Sequence, residues 1–269
     1  MAVVTITRGL LTLTREIAEA VAAKLQARLV SREEVINHGA RYGLDRFELS
    51  RLGILHRRPP AIWDRYAADR REFLILYRRA LMDLVVEGDV VYYGNMGQLI
   101  LADLPGLLRA RLDAPADFRI KRLAWETEIT PDKARRRLRE FDERRCEWIK
   151  FLFRLDYYRH AGYDIILNVA TLSTVTIVDL VSCMLDLEEF APNEASRKAV
   201  RSTHLEASIR AELINSPRTR GMQLQLVCDA DTGRVEVSGA EPMVGTGIWR
   251  RDIEAVIQTL PDVSEVVFL

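Results

Sequence analysis

The chain has 269 residues, enough for one large domain or for a medium domain followed by a small one. Its 48% hydrophobic and 29% charged residues exclude a mainly disordered chain and fit a globular one with a real core. Thirty-nine basic side chains balance thirty-nine acidic ones, so no global field draws the protein to nucleic acid or anionic lipid, and no nucleic-acid partner is expected. Cys146, Cys183 and Cys228 lie far apart, without a C-x-x-C or histidines at ligand spacing, and read as reduced structural thiols with no metal site. No basic segment leads into an apolar leader, and no apolar run reaches the roughly 18 residues of a membrane span, so the expected location is the cytoplasm.

In chain order, Val3, Val4 and Ile6 read as a strand, a turn follows, and helical spacing begins near Arg15. That is the strand, loop and helix order of a phosphate-binding loop. The loop carries only Gly9, with Leu10, Leu11 and Leu13 where backbone N–H groups would close on a phosphate. A short strand at 27–30 precedes Ser31, an N-cap that Glu34 three residues later completes as a capping box. Residues 45–87 are helical by pattern, broken at Arg57-Arg58-Pro59-Pro60.

The run G-D-V-V-Y-Y-G-N-M-G predicts a buried strand feeding a glycine-rich turn, the kind of edge where α/β proteins bind ligands. Another strand is expected at 110–112. Residues 120–155 read as one or two very basic helices, with a start at Thr130-Pro131. A strand at 163–169 and an apolar helix at 175–187 follow. Strands with continuous apolar runs, separated by helices, imply a parallel sheet covered on both faces.

Composition shifts to polar residues near 188–202. The expected organisation is therefore a domain over 1–190, a linker over 191–202 and a small α/β unit over 203–269. The tail reads as helix, two alternating strands joined by an Asp231-Thr232-Gly233 hairpin, helix and strand.

Five segments, in order, resemble the cytidylate kinase-like family of P-loop nucleoside monophosphate kinases: T-R-x(6)-R-E-I-A-E-A-V-A-A-K-L from Thr7, V-V-Y-Y-G-N-M-G-Q-L-I-L from Val90, D-A-P-A-D-F-R-I-K-R from Asp113, F-D-E-R-R from Phe141 and Y-D-I-I-L-N from Tyr163. The resemblance implies an α/β fold, a doubly wound parallel sheet with a helical lid. It also implies transfer of a phosphoryl group from ATP, with Mg2+, to CMP or a similar acceptor. By it, Arg8, Thr12, Thr14, Arg15, Gly94, Asn95, Arg119, Arg122, Arg135, Arg136 and Arg145 are the phosphate- and nucleotide-binding candidates, and Arg15, Arg135 and Arg145 the catalytic ones. Magnesium is expected on the nucleotide itself, with no metal ligands from the protein.

Departures from the family pattern fall on the chemistry. Leu11, Thr12, Leu13 and Thr14 stand in the glycine-serine-glycine-glycine places, Ser31 where an aspartate is expected, and Asn95 where an arginine is expected. A phosphate loop needs glycine because its backbone curls through φ values that side chains oppose. Transfer is therefore expected to be weakened or lost, which leaves open whether the chain is a working kinase or a pseudokinase. The basic series from Arg119 to Arg145 has a plain alternative as a solvated helix face paired with Glu140, Asp142, Glu143 and Glu147.

The last 70 residues resemble a BON domain, in H-L-E-A-S-I-R-A-E-L-I-N-S-P-R-T-R-G, G-R-V-E-V-S-G and I-E-A-V-I-Q-T-L-P-D-V-S-E-V-V. That resemblance implies phospholipid binding, and on a chain without an export signal a protein partner or self-association is as strong an expectation. The alternative function is then a nucleotide-sensing or scaffolding protein that works through this tail. His38, His56, His160 and His204 stand singly, with no catalytic or metal spacing between them. The four tryptophans read as packing residues, and Asp142 as an ion-pair partner. Gly245-Thr246-Gly247 reads as a turn into the last helix.

Overall fold

A computed structural model describes residues 1–7, 14–47, 67–155, 162–239 and 247–269. Five short strands form one parallel sheet: β1 (Val3–Thr7), β2 (Arg28–Ser31), β3 (Val90–Gly94), β4 (Leu107–Asp113) and β5 (Ile165–Asn168). Their order is β2-β3-β1-β4-β5, with Val3 of β1 level with Val90 of β3 and Leu107 of β4. The chain runs outward from β1 to one edge, returns through β3 and then continues to the other. A crevice therefore opens at the carboxyl ends of β1, β3 and β4.

The strands read as unbroken apolar runs because both faces are covered. Val4, Ile6, Val91 and Leu108 face α1 (Thr14–Leu25) and α7 (Thr174–Leu185), meeting Ile17, Val21, Ile177 and Val181. On the other face, Val3, Val90, Tyr92 and Leu107 join a core with α2 (Arg32–Gly39) and α3 (Ala67–Val86). Three-residue 3₁₀ turns at Ala40–Tyr42 and Leu44–Arg46 follow α2, the second at the start of the stretch over 45–87 that the pattern reads as helical with a proline break; that break lies outside the described residues.

α4 (Gly97–Ile100) is a single turn after β3. The basic segment is two helices, α5 (Ala116–Glu126) and α6 (Pro131–Phe153), held together by a small core of Ile120, Leu123, Ala134 and Leu138. Thr130 caps α6, accepting from the Lys133 amide, and Pro131 sits in its first turn as expected. Ser31 likewise caps α2, accepting from the Glu34 amide at 3.1 Å. The return half of that capping box goes elsewhere: Glu34 Oε1 accepts from Arg28 Nη2 at 2.7 Å.

The stretch read as a linker over 191–202 is helical from Glu194 onward. α8 runs unbroken from Glu194 to Asn215, because Asn193 and Ser196 form a reciprocal capping box that starts the helix earlier than its apolar spacing suggests. Two stripes run along it. Val200, Ala207, Ala211 and Ile214 pack into the core around α3, while Leu205, Ile209 and Leu213 pack into the core of the tail. The tail adds β6 (Leu224–Asp229), β7 (Arg234–Gly239), α9 (Ile248–Ile257) and β8 (Glu265–Phe268). The β6–β7 hairpin is antiparallel, with Gly233 at φ 69°, and β8 joins β7 in parallel.

Candidate functional site

The crevice is floored by the last residues of three strands. Thr7 ends β1, and its buried hydroxyl donates to Gln98 Oε1 at 3.0 Å from the turn of α4. Gln98 Nε2 in turn donates to the Tyr163 hydroxyl at 2.9 Å, just before β5. The Arg111 guanidinium lies 5.8 Å from the Tyr163 ring centroid and pairs with Asp113 at 2.8 Å. Thr7, Gln98 and Tyr163 thus form a short hydrogen-bonded chain under the crevice. Sequence reasoning missed Gln98 and Tyr163, although a polar residue in the first helical turn after a strand is a readable signal.

The glycine turn after β3 is shaped by Tyr92. This side chain is fully buried, and a Cβ on Gly94 would come 2.5 Å from its hydroxyl, while one on Gly97 would enter its ring. The Tyr92 and Tyr77 hydroxyls lie 2.8 Å apart. Burial, then the neighbouring Tyr92, pushes the Tyr77 phenol well above its ordinary value, so it stays neutral. Gly94 and Gly97 are therefore required by packing, whatever else the turn does. Next to Gly94, Asn95 is only 4% exposed, and its Oδ1 has no hydrogen-bond partner among the described residues. A buried carbonyl oxygen left so costs free energy unless something donates to it.

Arg8, Thr12, Leu11 and Leu13 lie outside the described residues, as do His56, His160, Trp63, Gly245 and Thr246. Thr14 opens α1 and is buried; Arg15 follows it, exposed, with Nε 2.9 Å from Glu19 Oε1. In the α5–α6 hairpin, Arg119 makes a two-pronged pair with Asp142, both contacts 2.9 Å, which ties α5 to α6. Arg122 pairs with Glu126 at 2.6 Å, Arg135 with Asp132 at 3.4 Å and Arg144 with Glu140 at 2.7 Å. Arg145 is buried, whereas Arg136, Arg137 and Arg139 are exposed. The helix-face reading accounts for several of these arginines. Among the tryptophans, Trp148 and Trp249 are buried, but Trp125 on α5 is 80% exposed and is no packing residue.

The structure therefore brings Thr7, Thr14, Gly94 and Asn95 to one end of the sheet, on a scaffold of strand, helix and basic helical hairpin. A model of the cytidylate kinase-like family matches residues 3–171. The chain belongs to that family.

A crystal structure of an uncharacterized protein from Eubacterium ventriosum superposes on it with a TM-score of 0.51 at 17% identity, covering 69% of this chain and 98% of that one. That likeness shows a shared fold. A shikimate kinase from Bacteroides thetaiotaomicron gives a TM-score of 0.41 at 15% identity, over 70% of this chain and 100% of that one. A uronate isomerase from Corynebacterium glutamicum is 29% identical over 103 residues, 38% of this chain. The chain spans about a fifth of that relative's length, since the match covers 20% of it. The kinase-like assignment rests on the family match.

Among the described residues, no group of three or more His, Cys, Asp and Glu could hold a metal ion, and no helix is long and apolar enough to cross a membrane.

Proposed function

We propose that this member of the cytidylate kinase-like family binds a nucleotide at the carboxyl ends of β1, β3 and β4, and that phosphoryl transfer to a CMP-like acceptor is weak or lost. The observation that carries the reading is Asn95, whose buried carbonyl oxygen has no partner among the described residues and sits at the sheet's switch point. The exocyclic amine of a cytosine, or a ribose hydroxyl, is a donor of the kind this oxygen lacks. Thr14 and Arg15, at the start of α1, lie where the positive end of a helix favours phosphate.

Catalysis of phosphoryl transfer is positioning plus neutralisation of charge on the phosphates. Arg15 and Arg135 are in exposed pairs, which cost little to break, so both can turn to a phosphate. Arg136 is exposed on the same helix as Arg135. Arg119 is engaged bidentately by Asp142 and fixes α5 against α6. On this reading Mg2+ comes on the phosphates of ATP. Ser31 is occupied as the N-cap of α2, and Asn95 brings no positive charge. The cationic complement is thus thinner than the family pattern implies, which supports binding over turnover.

The tail has the αββαβ order of the BON-like resemblance. Acidic side chains outnumber basic ones over residues 203–269, so the charge balance favours a protein partner over an anionic phospholipid.

The deciding experiment is calorimetry of the purified protein with ATP–Mg2+ and with CMP, with ADP formation followed in the same samples and Arg15→Ala as control. Binding that Arg15→Ala weakens about tenfold, with little ADP formed, is the expected result. Absence of binding at millimolar concentration would overturn the nucleotide reading and turn attention to the tail.

A further inference from the structure

A cluster of charged and polar side chains lies away from the nucleotide crevice, where α2, the 3₁₀ turn after it, α3 and α8 meet. At its centre is Asp83 of α3, 9% exposed. Its Oδ2 faces His38 Nε2 at 3.0 Å and accepts from the Tyr42 hydroxyl at 2.6 Å. Its Oδ1 faces His204 Nε2 of α8 at 2.9 Å and Arg79 Nη1 at 3.1 Å. Arg79 extends the bridge, reaching Tyr42 on one side and Ser208 of α8 on the other. Arg41 Nη2 lies 3.2 Å from His38 Nδ1. A guanidinium can only donate, so Nδ1 is the acceptor there and Nε2–H points at the carboxylate.

We propose that Asp83 is a coupling joint: one carboxylate, with one oxygen given to α2 and its turn and the other to α8, makes the docking of the C-terminal unit and the placement of α2 a single linked event. Oδ2 serves α2 and its turn, whereas Oδ1 serves α8 through His204 and is also held by Arg79 of its own helix, so losing His204 removes the link to α8 and lets the carboxylate shift on the Arg79 charge that remains. A second bridge of the same design stands at the other end of α3. There the mostly buried Glu72 takes Arg46 Nη2 at 3.0 Å from the second 3₁₀ turn and Arg220 Nε at 3.4 Å from the segment after α8. Arg71 adds bonds to the carbonyls of Arg220 and Met222.

The coupling has a place to act. α2 is capped by Ser31, which is level with Tyr93, one residue short of Gly94, so the helix N-terminus borders the crevice. A partner that grips or displaces the tail would therefore reach this border through Asp83. The inference holds whether or not nucleotide binds, because it concerns α2 and α8 alone.

Hydrogen–deuterium exchange on the full-length protein tests it, with His204→Gln as the probe and Asn193→Ala as the control that weakens α8 at its far end. His204→Gln is expected to speed amide exchange about tenfold in α2, residues 32–39, as well as in α8, whereas Asn193→Ala speeds α8 alone. Exchange in α2 that stays at the wild-type rate in His204→Gln overturns the joint. The double variant His38→Gln/His204→Gln gives an independent reading from denaturant unfolding. The joint requires the two single effects on the unfolding equilibrium to be non-additive by about fivefold or more; strict additivity overturns it.

Discussion

Gly97 has no room for a side chain, because its missing Cβ is where the Tyr92 ring lies. Alanine there must displace a fully buried aromatic, so Gly97→Ala is expected to cost about 1–3 kcal/mol of stability, read as a lower urea midpoint with an unchanged slope. Asp83 poses the opposite problem of a charge kept indoors. Burial alone would raise its pKa, but hydrogen bonds from His204 and Tyr42, the Arg79 charge and His38 outweigh that and hold the carboxyl below its ordinary value. A depressed folded-state pKa gives stability that is present above the unfolded value, near pH 4, and lost as pH falls through the folded one. Asp83→Asn is therefore expected to be less stable than wild type at neutral pH, by about 1–3 kcal/mol. The gap should close below pH 4, as urea unfolding at a series of pH values would report.

Elements repeat this logic with longer spans. α8 begins with the Asn193–Ser196 box, in which the Asn193 side chain accepts from the Ser196 amide at 2.7 Å. Asn193→Ala should cost about 1 kcal/mol by denaturant unfolding. Capping of this kind is written in the sequence, and Ser31, Thr130-Pro131 and the Asp-Thr-Gly hairpin were all legible. The strand and helix order of the parallel sheet was legible too, because runs such as Val90–Gly94 are apolar on both faces. What was not legible depends on residues far apart in the chain. His38 and His204 look solitary in sequence, yet meet on one carboxylate; Gln98 reaches back to Thr7 and forward to Tyr163. The polar start of α8 looks like a linker because, of its residues, Val200 is the buried one that joins the α3 core. The arginines of α5 and α6 carried two readings at once, and only geometry assigns Arg119 to Asp142.

At the scale of the whole molecule, the kinase-like unit and the tail share a helix instead of being joined by a tether. A fragment ending at residue 190 would lack Val200, Ala207, Ala211 and Ile214 and leave part of the α3 core uncovered. Such a fragment is expected to bind a hydrophobic dye strongly and to aggregate at concentrations where the full chain stays monodisperse, measured by dye fluorescence and light scattering. The same sharing orders events during synthesis. α3 is complete by Val86, but its covering stripe on α8 extends to Ile214. At usual translation speeds the growing chain must carry an uncovered apolar helix for on the order of ten seconds. That interval is when a chaperone would find this protein, and it closes only as the far end of α8 leaves the ribosome.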